Sequence, residues 1–162
     1  MSVDFDGTLV EGNVAKLLVS EFIPDGDGLA DTIDRALHEG RITLREAWAR
    51  QTALLPWDRY DEMIRFVRER VPLRAGAREF VALAQAYRIP VTVVSGGLDF
   101  YIHEILDRDR LALPVRSDRL TGVPEGRPRL EYPHGHRTCR ECGTCKAGIV
   151  TDGFGGSTTV FI

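Results

Sequence analysis

The chain is 162 residues long, 43% hydrophobic and 28% charged, with a formal net charge of -3. That size supports a compact core without disulfides, and the slightly acidic balance offers no basic surface to recruit nucleic acid or an anionic membrane. No apolar run approaches the roughly 20 residues of a membrane span, and the N-terminus lacks the basic flank and apolar stretch of a signal peptide, so a cytoplasmic protein is expected.

The opening Ser2-Val3-Asp4-Phe5-Asp6-Gly7-Thr8 reads as the end of a short buried strand running into a turn at Gly7. From Asn13 to Val71 apolar residues recur at helical spacing, among them Val14, Leu18, Ile33, Leu44, Trp48, Met63 and Val67. Three or four helices without strands are expected there. Thr43 followed by Glu46 has the form of a capping box, and Pro56 is placed to open the next helix. Beyond Val71 the pattern becomes α-β-α: a helix over Ala77–Tyr87, a β-branched strand over Ile89–Val94, and a helix over Asp99–Leu106. Turn signals at Thr121-Gly122 and near Gly126 make Leu113–Tyr132 a hairpin or irregular excursion. A helix from Lys146 to Thr151 follows, then glycines at 153, 155 and 156 and a β-type run over Ser157–Ile162. Alternation of this kind implies an α/β fold built on a parallel sheet, which holds ligands at the carboxyl ends of its strands.

Asp4 and Asp6 stand at alternate positions where the first strand ends, so both carboxylates can face one crevice. A hard, oxygen-seeking cation such as magnesium suits such a pair; an ordinary Asp-Gly turn is the plainer alternative. All but Lys16 and Lys146 of the 21 basic Lys and Arg residues are arginine, which leaves few places for a functional lysine. Lys146 opens a helix, where a cation opposes the helix dipole, so a merely solvated role fits it poorly. Cys139, Cys142 and Cys145 lie within seven residues and cannot make long-range disulfides. With His134 and His136 they offer five ligands for a tetrahedral zinc ion, the alternative being reduced thiols in a loop.

The string Asp4-Phe5-Asp6-Gly7-Thr8-Leu9-Val10 resembles the first motif of haloacid-dehalogenase (HAD) superfamily phosphatases. Val94-Ser95-Gly96-Gly97 resembles the second motif, and Lys146 stands where the family carries its lysine. The resemblance implies a HAD-like, Rossmann-type parallel sheet core, 1–12 and 72–162, interrupted by a helical cap over 13–71 of the phosphoserine phosphatase type. It further implies that Asp4 is a nucleophile and Asp6 an acid/base. Gly7, Thr8, Ser95, Gly96 and Lys146 would bind phosphate, and Asp4 and Asp6 would hold Mg2+. Glu11, Asn13, Arg45 and Arg50 are candidates to reach the substrate from the cap, each also readable as a solvated position.

Arg74-Ala75-Gly76-Ala77-Arg78-Glu79-Phe80, Val94–Phe100 and Cys142-Gly143-Thr144-Cys145-Lys146 together resemble a methionine-salvage branch acting on 2-hydroxy-3-keto-5-methylthiopentenyl-1-phosphate. The expected partner is therefore a small phosphorylated metabolite. A phosphoserine- or phosphocholine-type phosphatase or phosphotransferase on the same fold remains an alternative. The family's last acidic loop, Gly-Asp-x-x-x-Asp, would follow Ile162, so the resemblance implies a C-terminally truncated form of impaired activity, or a silent phosphate-binding fragment.

Overall fold

The computed structural model of the chain describes residues 1–152. The described strands form one sheet in the order β1 (Ser2–Val3), β2 (Thr92–Leu98), β3 (Val115–Thr121) and β4 (Arg129–Glu131). The first three run parallel, and β4 folds back antiparallel to β3. Helices α1 (Val14–Phe22), α2 (Gly26–His38), α3 (Leu44–Leu54) and α4 (Tyr60–Arg70) lie between β1 and α5 (Ala77–Ala86). Then α6 (Asp99–Arg108) follows β2, and α7 (Lys146–Asp152) closes the described chain. The expected α/β fold on a predominantly parallel sheet is present. The expected β-type run over Ser157–Ile162 lies outside the described residues.

One strand expectation is corrected and another is met and extended. The second strand begins at Thr92 rather than Ile89 and continues through Ser95, Gly96 and Gly97 to Leu98, with a register irregularity against β3 between Val94 and Leu98. Small residues let the strand deform without losing its partner. Residues 113–132 do contain a hairpin, but its first strand also pairs with β2 and belongs to the parallel core.

The helical stretch leaves and rejoins the sheet at one point. Val10 bridges Leu73, and the Arg74 amide donates to the Leu9 carbonyl at 2.8 Å. Val3, Phe5, Val93, Ile102 and Ile105 form a continuous core with Val14, Leu18 and Val19 of α1 and Met63 and Val67 of α4. A smaller apolar cluster of Ile33, Ala36, Ile42 and Ala47 joins α2 to α3.

The capping box at the head of α3 is made as the sequence predicts. Thr43 Oγ1 accepts from the Glu46 amide at 3.2 Å, and Glu46 Oε2 accepts from the Thr43 amide at 2.7 Å. Both satisfy amides that the helix cannot. Thr43→Ala is expected to lower unfolding stability by about 1 kcal/mol, read from urea denaturation midpoints.

Candidate active site

Asp4 follows β1 directly. Its Oδ1 accepts from the Phe5 amide at 2.8 Å, and its Oδ2 receives the ammonium of Lys146, the first residue of α7 and 142 positions further along the chain. Asp6, in the wide turn Phe5–Leu9, is held on both oxygens: the Val14 amide donates to Oδ1 at 2.8 Å and the Tyr101 hydroxyl to Oδ2 at 3.1 Å. Burial raises its carboxyl pKa to about 6, against the lowering effect of those two hydrogen bonds. Tyr101 is fully buried, and burial followed by the charge of Asp6 pushes its phenol well above the ordinary range, so it acts as a donor. Gly97 makes room for this pair, since a β-carbon there would stand 2.1 Å from the Tyr101 hydroxyl and 2.7 Å from Asp6 Oδ2. Ser95 is 1% exposed and its Oγ accepts from the Gly97 amide at 2.9 Å, which leaves its own proton to donate.

Lys146 is aimed by a buried fastening two residues upstream. Asp118 of β3 is fully buried, and its Oδ1 accepts from the Thr144 amide at 2.6 Å and the Thr144 hydroxyl at 2.9 Å. Only glycine fits beside it at 143, where a β-carbon would lie 1.8 Å from Asp118 Oδ2. That oxygen has no hydrogen-bond partner among the described residues, and burial lifts the Asp118 pKa to about 6 despite the two bonds from Thr144.

These groups border a cavity of about 500 Å3 lined by Asp4, Asp6, Asn13, Ser95, Gly96 and Lys146, together with Leu44 and Trp48 of α3. Six candidate phosphate-site and cap residues singled out in the sequence are thus brought together, and Cys142 and Cys145 of the candidate zinc cluster line the same cavity. Others are not. The Gly7 amide is spent on the Gly12 carbonyl at 2.8 Å, where positive φ turns the chain back, and Thr8 borders a different cleft with Leu9 and Phe80. Glu11 and Arg50 are exposed and absent from the cavity lining. Arg45 turns away from the cavity: its Nε donates to the Cys142 carbonyl at 2.5 Å, and its guanidinium lies 4.2 Å from the centre of the Tyr132 ring.

The five candidate zinc ligands are not gathered into one set. Among the described residues no three His, Cys, Asp or Glu side chains are placed to hold a metal ion. His136 Nδ1 instead accepts from the Thr138 and Cys139 amides at 3.3 and 3.1 Å, and Cys145 Sγ accepts from the Gly148 amide at 3.3 Å. Cys139 and Cys142 are exposed free thiols.

Residues 3–152 match the sequence pattern of the haloacid dehalogenase-like hydrolases. The chain belongs to that family. Among curated HAD relatives, the 2-hydroxy-3-keto-5-methylthiopentenyl-1-phosphate phosphatase of Geobacillus kaustophilus (strain HTA426) is 35% identical over 151 residues, 91% of this chain and 66% of the relative. The phosphatase of the same name from Geobacillus thermodenitrificans (strain NG80-2) is 31% identical over 154 residues, with the same coverage of both chains. The chain therefore spans slightly under two thirds of the length of these relatives. A phosphoserine phosphohydrolase-like protein from Francisella tularensis has the same fold, with a TM-score of 0.70 at 19% identity over 99% of this chain and 74% of that one.

Four residues that line the cavity or hold its lining in place carry no motif signal. Leu44 and Trp48 have the spacing of ordinary core positions, Tyr101 is one of several aromatics after Gly97, and Asp118 lies in a stretch legible only as a hairpin. Asp6 and Asp118 are carboxyls whose folded pKa exceeds the ordinary value, so each contributes stability that is complete below about pH 4 and lost as pH rises through about 6. Asp118→Asn is expected to remove its share of that loss and flatten the stability profile between pH 4 and 7, measured by urea unfolding across the range.

Proposed function

We propose that the protein is a phosphomonoester hydrolase working through an aspartyl-phosphate, with a catalytic core over 1–12 and 72–162 and a helical cap over 13–71. The observation that carries this reading is the Lys146 ammonium on the Asp4 carboxylate, beside Asp6 and Ser95 in one cavity. An Asp4 oxygen attacks phosphorus and the bond to the leaving oxygen breaks. Asp6, whose pKa near 6 keeps a useful protonated fraction close to neutrality, gives that oxygen its proton. A water then attacks phosphorus, losing its proton to the Asp6 carboxylate, and the bond between Asp4 and phosphorus breaks to release phosphate. The Ser95 hydroxyl and the Lys146 ammonium hold the phosphoryl oxygens throughout.

The donors at the cavity are hard oxygens, which suit Mg2+. The Asp4 carboxylate and the Asp6 carbonyl would hold it, and the ion when bound supplies neutralisation of phosphoryl charge. The substrate favoured is 2-hydroxy-3-keto-5-methylthiopentenyl-1-phosphate, supported by the names of relatives at 35% and 31% identity.

The test is hydrolysis of p-nitrophenyl phosphate by the natural full-length protein. Asp4→Asn is expected to lower kcat by at least about 1000-fold with the fold retained by circular dichroism. Undiminished turnover in that variant would remove Asp4 as nucleophile and the mechanism with it.

A further inference from the structure

Leu44 and Trp48, one helical turn apart on α3, lie beside Gly96 and line the same cavity. A β-carbon placed on Gly96 would stand 3.7 Å from Leu44 Cδ2 and 3.9 Å from Trp48 Nε1. Trp48 is 6% exposed, and its indole Nε1 has no hydrogen-bond partner among the described residues. The contrast with Trp57 is direct, because that indole donates to the Thr52 carbonyl at 2.8 Å. Buried indole donors are ordinarily paired, since an unmade hydrogen bond there costs the full desolvation of the N–H. This unpaired donor stands beside Gly96, at the wall of the cavity.

The charged side chains in the lining are Asp4, Asp6 and Lys146, and each already has a role. Asp4 and Lys146 face one another, and Asp6 is held by Val14 and Tyr101. The α3 side of the cavity therefore meets the leaving group with a hydrocarbon side chain, an indole face and one neutral donor. A leaving group bearing its own ammonium and carboxylate would lose hydration there without an ionic partner.

Resting on the phosphomonoesterase reading, we propose that Leu44 and Trp48 form the leaving-group subsite. The Trp48 N–H donates to an uncharged oxygen carried close to the phosphoester, and Leu44 with the indole face covers an aliphatic chain. The subsite thus selects neutral oxo- or hydroxyalkyl phosphates over amino-acid phosphates.

The experiment compares 2-oxohexyl phosphate, hexyl phosphate and phosphoserine with the natural full-length protein. Binding is measured calorimetrically on an Asp4→Asn background, and kcat/KM on the active form. The 2-oxohexyl ester is expected to be preferred over hexyl phosphate by about 5-fold, the value of one neutral hydrogen bond, and phosphoserine to be the poorest of the three. Trp48→Phe keeps an aromatic ring and removes the donor; it is expected to abolish the preference for the oxo ester while changing hexyl phosphate by less than about 2-fold. A purely structural role for Trp48 would instead weaken all three together. In the unsubstituted protein, the Trp48 indole proton is expected to move downfield in nitrogen-15 NMR spectra on adding the 2-oxohexyl ester and to stay in place with hexyl phosphate. Preference retained in Trp48→Phe, an unmoved indole signal, or selection of phosphoserine overturns the subsite. Selective binding lost in Trp48→Phe but without hydrolysis upholds the subsite and overturns the phosphatase reading; Asp4-dependent hydrolysis without selectivity does the reverse.

Discussion

The contact between the Lys146 ammonium and the Asp4 carboxylate is the constraint around which the described structure is arranged. With the two side chains 36% and 24% exposed, it is a partly solvated ion pair of modest value to stability. Its importance is positional. A cation at the head of a short helix works against the helix dipole, so the chain must hold it there by other means. Asp118 does so from β3, a strand that runs beside the one carrying Ser95, by holding Thr144 in the loop ahead of α7 where Gly143 lets it approach.

Two buried carboxyls with pKa values near 6 do different work. Asp6 borders the cavity and is gripped by one backbone and one phenolic donor, which fixes its orientation while burial keeps its proton affinity high. Asp118 is absent from the cavity lining and satisfies the turn ahead of α7. Similar proton affinities thus arise chiefly from one cause, desolvation, and what separates the two groups is that Asp6 borders the cavity and Asp118 does not.

Much of the architecture could be read from the sequence because it rests on local rules. The helices between Asn13 and Val71 follow apolar periodicity, and the α3 cap follows from Thr43 and Glu46. Asp4, Asp6, Ser95 and Lys146 were legible because each sits in a short recognisable string. What escaped depends on contacts between distant segments. Nothing local to Tyr101 or Asp118 announces a partner 95 or 26 residues away. Sequence spacing is equally limited for the five closely spaced His and Cys residues: it places them near one another along the chain but does not fix whether their side chains converge, and among the described residues no three do. The end of β2 was misplaced because glycines usually terminate a strand, whereas here they deform one that continues.

Arg45 joins two surfaces that otherwise belong to separate parts of the chain. It follows Leu44 on the first turn of α3, and it grips the Cys142 carbonyl while its amide donates to the Glu141 carbonyl at 3.2 Å. The helix bearing Leu44 and Trp48 is therefore fastened to the loop that ends at Lys146. Substitutions that shift α3 will also tug on the loop that positions the Lys146 ammonium against Asp4. Changes on α3 are thereby coupled to the Lys146–Asp4 contact, and those that leave this contact undisturbed are the ones that reshape side chains on α3 while keeping its first turn anchored.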